Sequence, residues 1–112
     1  MEPIATANLK LSANRGTARL WLEGAKLAAA GFSRYDSYAL VLETVDGIDT
    51  VNVFASATGT GKVAGRPPRK EGGQPLPIID RGIPQWAALV GTHKLAVQYF
   101  PGMVVITPER IN

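Results

Sequence analysis

Apolar and polar residues alternate in short bursts along this chain, and long helical periods are absent. Leu9 and Leu11 flank Lys10, which predicts a first strand. "RGTARLWLEG" (15–24) predicts a second, with Leu20 and Leu22 on one face and Trp21 on the other. "AKLAAAGF" (25–32) is rich in helix formers, and Gly31 is placed to close that helix in the left-handed conformation. "SYALVLET" (37–44) alternates again, Tyr38, Leu40 and Leu42 against Ala39, Val41 and Glu43. Asp46-Gly47 signals a tight turn, and "DTVNVFAS" (49–56) predicts the returning strand.

The same succession restarts after residue 74. "PLPIID" (75–80) predicts a short apolar strand. "IPQWAALVG" (83–91) predicts a short helix with Pro84 in its first turn. Trp86, Leu89 and Val90 fall at i, i+3 and i+4, and Gly91 suits its end. "HKLAVQYF" (93–100) is a strand, Pro101-Gly102 fits the centre of a type II turn, and "MVVITP" (103–108) returns until Pro108 ends it. Residues 9–56 and 75–108 therefore form two half-repeats, each reading strand, short helix, hairpin.

The prediction is an α+β, mostly β fold in a single domain, 1–112. Tandem strand-helix-hairpin repeats form a pseudo-dimeric barrel with two short helices. Helices of about two turns are unstable alone, and so is a lone hairpin. Two such units in one chain bury each other's apolar faces.

Charge singles out the join between the halves, a Gly/Pro loop over 57–74. "TGTGKVAGRPPRKEGG" (58–73) holds five of the 12 glycines, and Lys62, Arg66, Arg69 and Lys70 against Glu71. That local +3 is the whole net charge, because the rest of the chain balances at eight basic and eight acidic residues. Glycine frees the backbone, Arg66 and Arg69 suit bidentate phosphate contacts, and Lys62 and Lys70 add point charges. The N–H groups of Gly59, Gly61 and Gly65 are candidate extra donors. Arg15, Arg19 and Lys26 extend the basic surface, and Arg34-Tyr35 in "SRYDS" is a candidate backbone-contact pair. The remaining aromatic residues read as core. A local basic cluster implies an anionic partner. Four phosphate contacts predict a log-log salt slope of about −3.6 on duplex DNA.

Other chemistry lacks its residues. A phosphate-binding loop of the G-x-x-x-x-G-K-[ST] kind needs glycine where Ser56 stands and a hydroxyl where Val63 stands. His93 is the only histidine and cysteine is absent, which leaves no Ser-His-Asp constellation and no zinc set. Asp46 and Asp49 are explained by turn chemistry. The expectation is no enzyme, no metal and no cofactor. No apolar run approaches a membrane span, "MEPIATANLKL" lacks the features of a secretory signal, and absent cysteine suits a reducing compartment. A cytoplasmic protein without a membrane partner is expected.

"RLWLEGAKLAAAGF" and a hairpin ending "MVVITP" resemble the swapped-hairpin proteins of the AbrB-like and SymE-like group. The matching positions are Trp21, Leu22, Leu27, Ala30, Gly31 and Phe32, then Val104, Ile106 and Pro108. The chain is also similar, from about residue 9 to 107, to a domain found ahead of some phage and plasmid cytosine DNA methyltransferases. That similarity runs through Asn14-Arg15-Gly16-Thr17 to Phe32, then Gly61-Lys62-Val63-Ala64-Gly65-Arg66, then Pro77-Ile78-Ile79-Asp80. No methyltransferase body is matched, and the long insert between the halves departs from the AbrB-like pattern. The resemblance implies a tandem swapped-hairpin fold and DNA as partner, in a monomeric pseudo-dimer or a homodimer. Two other readings stay open: a phage-like protein-interaction module that inhibits a bacterial defence complex, and RNA binding of the SymE-like kind.

Overall fold

Wherever the alternation runs for six residues or more, the chain is a strand. In a computed structural model that describes residues 2–67, 71–73 and 75–111, the strands are β1 (Ala5–Lys10), β2 (Ser12–Asn14), β3 (Thr17–Glu23), β4 (Ser37–Val45), β5 (Ile48–Ala55), β6 (Gly61–Lys62), β7 (Ala64–Arg66), β8 (Leu76–Gly82), β9 (His93–Phe100) and β10 (Met103–Arg110). Helix α1 (Ala25–Ala29) follows β3, and a 3₁₀ helix (Pro84–Leu89) follows β8. All strand pairs are antiparallel. They build a six-stranded sheet, β1-β9-β10-β5-β4-β6, and a four-stranded sheet, β2-β3-β8-β7. Both orders are unchanged when β1 to β5 are exchanged with β6 to β10.

The core lies between the sheets. Leu20 and Leu22 of β3 and Ile79 of β8 face Val51 and Val53 of β5, Leu95 and Val97 of β9, and Val104 and Ile106 of β10, all buried. Each such side chain contributes roughly 1.5–3 kcal/mol when fully buried. The chain changes sheet four times, and at two of these crossings a single buried residue makes the passage. Leu11 links β1 to β2 and Val63 links β6 to β7, and both are buried.

Helix α1 has five residues, too few to hold alone. Buried Leu27 anchors it, and Gly31, at φ 100°, closes it. The N–H of Gly31 donates to Ala28 O and that of Phe32 to Leu27 O, the paired bonds of a Schellman cap. Gly102 N–H, in the β9–β10 turn, donates to Ala30 O at 2.7 Å and fixes that hairpin over the helix end.

Four expectations change. The second helix is 3₁₀, not α, with Pro84 at its start as expected. Pro108 does not end β10, which runs on to Arg110. The sheets do not close into a barrel. The join between the halves is not loop throughout, because β6 and β7 occupy it and Val63 sits in the core. Arg69 and Lys70 lie outside the described residues.

Candidate nucleic-acid interface

The segment 33–37 lies alongside 61–65, and this alignment assembles a site. Tyr35 N–H donates to Val63 O at 2.8 Å, and Val63 N–H donates to Asp36 O at 2.9 Å. Lys62 Nζ donates to Ser37 Oγ at 2.7 Å. The turn itself is held by Ser33 N–H donating to Asp36 Oδ2 at 2.8 Å. Three residues singled out by the sequence, Arg34, Tyr35 and Lys62, thus meet at one place.

Tyr35 stands out there. It is 71% exposed, and its φ of 74° is left-handed, which a residue with a Cβ rarely adopts. Strain of this kind gathers at functional positions. The Arg34 guanidinium lies 4.7 Å from the Tyr35 ring centroid, covering one face of the ring. Gly65 makes room for the Arg34 stem, because a Cβ there would lie 2.5 Å from Arg34 Cδ. Beside Tyr35 a shallow depression of about 530 Å³ is lined by Asp36, Ser37, Ala55, Ser56 and Ala57.

The other predicted cations are placed differently. Arg19 and Arg66 share the outer face of the four-stranded sheet, and each meets an acid of this chain. Arg19 makes two bonds to Asp80, at 2.8 and 2.9 Å, and lies over the Trp21 ring at 4.4 Å. Those bonds hold the Asp80 carboxyl below the usual carboxylate range and push the Arg19 guanidinium upward. Arg66 pairs with Glu23 at 2.8 Å. Each of these acids competes with a phosphate for its guanidinium. Arg15 sits in the β2–β3 turn at φ 54°, and Lys26 donates to Thr6 O at 2.7 Å beside the outer edge of β1. Neither adjoins Lys62.

The glycines of the basic stretch have structural duties. Gly59 N–H is taken by Ser56 O. Gly61 lies in β6 against the Tyr38 ring, and Gly65 lies in β7. They make close packing possible and are not a row of open donors. Sequence reasoning missed Lys10 and Lys94, which are cross-strand neighbours, with Glu109 opposite Lys94 on β10. Their adjacency depends on strand register, which no local pattern reveals. His93 Nδ1 lies 2.8 Å from Thr92 Oγ1, at the start of β9.

No family model, curated protein or solved structure matches this chain.

Proposed function

We propose that this protein is a small, non-catalytic DNA-binding module of phage or plasmid type. Its contact surface is the Arg34–Tyr35–Lys62 cluster together with the basic segment that follows Lys62. The observation that carries this reading is the strained, exposed tyrosine with Arg34 over its ring and Lys62 on the adjoining segment, neither cation having a described acidic partner. The cations meet phosphates, while the ring offers a stacking face to a base or sugar. Arg19 and Arg66 have a lesser part, because their acids compete for them.

The fold reading that accompanies it is a swapped-hairpin pseudo-dimer. Supporting it, the strand order is symmetric under exchange of β1–β5 with β6–β10, and strands cross between these two sets: β1 pairs with β9, and β6, in the join, pairs with β4. On this reading the chain is a cytoplasmic protein, either a monomer that imitates a dimer or a homodimer.

The test is fluorescence anisotropy with labelled duplex DNA over a salt series. Arg34→Ala and Lys62→Ala each flatten the log-log slope by about 0.9. Arg66→Ala changes it less. Unchanged affinity after joint replacement of Arg34, Lys62, Arg69 and Lys70 overturns the mechanism. A preference for RNA over DNA in the same assay shifts the reading to SymE-like RNA binding.

A second reading, a protein-interaction module acting on a bacterial defence complex, is favoured by one observation. The β4–β5 hairpin projects beyond its neighbours with apolar side chains exposed.

A further inference from the structure

The symmetry of the strand order has one break. On one flank, β1 covers β9 over six residues, 94–99. Counted back from the two hairpin turns, Pro101-Gly102 and Asp46-Gly47, that stretch corresponds to residues 39–44 of β4. β6 stops short of that stretch: it covers only Ser37 and Tyr38, and Gly59 packs against the Tyr38 carbonyl. On the edge of β4 away from β5, no described strand lies beside it after Tyr38. The cause is chain length: only five residues, 56–60, connect Ala55 of β5 to Gly61 of β6, and they are spent on turns.

The vacant edge has ordered hydrogen-bonding groups. In a two-residue hairpin the flanking pair, here Val45 and Ile48, exchanges both backbone bonds. Alternation then aims the N–H and C=O groups of Leu40, Leu42 and Thr44 outward. Two of the usual guards of an open edge are missing, since residues 39–45 contain no proline and no lysine, and the one charge there is Glu43. The side chains are apolar for an exposed element: Val41 is 46% exposed, Leu42 37%, Val45 47% and Ile48 41%.

Charge names the chemistry of the occupant. Residues 40–50 hold Glu43, Asp46 and Asp49 and no basic residue, in a chain whose net charge is +3. The Glu43 carboxylate accepts from Asn52 and the Asp49 carboxylate from Thr44, and no described cation pairs with any of the three acids. A second copy laid antiparallel on this edge would bring two uncompensated acidic arms together.

We infer that the open edge of β4 is a strand-addition site for an extended segment of a partner protein that alternates basic and apolar residues. The segment runs antiparallel to β4, as β1 runs on β9. Its backbone bonds Leu40, Leu42 and Thr44. Its apolar side chains continue the Leu40–Leu42 face, and its cations lie over Glu43 and near Asp46.

The probe is an acetylated, amidated octapeptide alternating Lys and Val, titrated into ¹⁵N-labelled protein. Amide shifts are expected to concentrate on residues 39–45, with slowed hydrogen exchange at Leu40, Leu42 and Thr44. N-methylation of alternate peptide residues keeps its charge and leaves the protein untouched, and is expected to weaken binding by about tenfold or more, at 1.4 kcal/mol per factor of ten. Glu43→Gln with Asp46→Asn is expected to weaken it by about three- to tenfold at low salt. Four outcomes overturn the inference: no binding at millimolar peptide; equal affinity for the N-methylated peptide; equal affinity for a Glu-Val peptide; or protection of β4 amides in a concentration-dependent dimer, which makes a second copy the occupant.

Discussion

Adding one methyl group at Gly61 tests whether the glycines of the basic stretch serve packing or ligand contact. A Cβ at this position overlaps the Tyr38 ring, lying 2.7 Å from Cε1 and closer still to Cζ and Cε2. Carbon atoms in contact ordinarily sit about 3.5–4.0 Å apart, so the ring must retreat by roughly 1 Å. It has little room, being 2% exposed within the core. Overpacking of this sort costs about 1–3 kcal/mol, and replacing glycine returns about 0.4–1 kcal/mol through the unfolded chain. The net expectation for Gly61→Ala is a loss of about 1–2 kcal/mol. With a urea slope of about 1.5 kcal/mol/M, the unfolding midpoint falls by roughly 1 M. A double-mutant cycle isolates the cause. In a Tyr38→Leu background the collision is gone, so Gly61→Ala should cost less than about 0.5 kcal/mol, giving a coupling of about 1 kcal/mol. If the methyl group costs the same with and without the ring, the packing explanation is wrong.

Further outcomes follow from the same geometry. Trp86 is fully buried and its Nε1–H donates to Asp49 O at 2.8 Å, so Trp86→Phe should lower stability by about 1–3 kcal/mol in urea unfolding through the orphaned carbonyl and lost volume. Gly102 at φ 74° makes Gly102→Ala cost roughly 1–2 kcal/mol, visible as a lower melting temperature. Asp80 has its folded pKa depressed by Arg19, so its contribution is present above the ordinary aspartate value of about 3.9 and fades as pH falls through the lower folded value. Asp80→Asn should flatten the acid limb of a stability-against-pH curve there. Burial raises the Tyr99 pKa, so its contribution is complete below about pH 10 and is lost as pH climbs through the higher folded value; Tyr99→Phe should reduce alkaline unfolding.

Local signals were readable in the chain, and partners across space were not. Gly31, Gly47, Gly91 and Gly102 were each marked by punctuation alone, and all four take positive φ, between 74° and 100°. The alternation of Leu20 and Leu22 against Trp21 matches their burial in β3. By contrast, β6 and β7 are two and three residues long and carry no period to detect, so the stretch around Lys62 looked like loop. Arg19 and Asp80 are 61 residues apart, and their pairing depends on β3 lying beside β8. Composition registered the cations but not the acids set against two of them. Tyr35 was legible because "SRYDS" is polar around it, although its left-handed backbone was not.

The topology also dictates an order of assembly. The first strand of the chain finds its neighbour only when β9 exists, and that pair joins the rest of its sheet solely through β10. During synthesis, residues 5–10 therefore wait for roughly ninety more to emerge before they have anywhere to go. The apolar hairpin of residues 37–55 meanwhile stays uncovered by its later neighbour. Distant pairing of this kind slows folding and prolongs exposure to aggregation. Slow maturation is thus the expected consequence of threading strand 5–10 beside one made so much later.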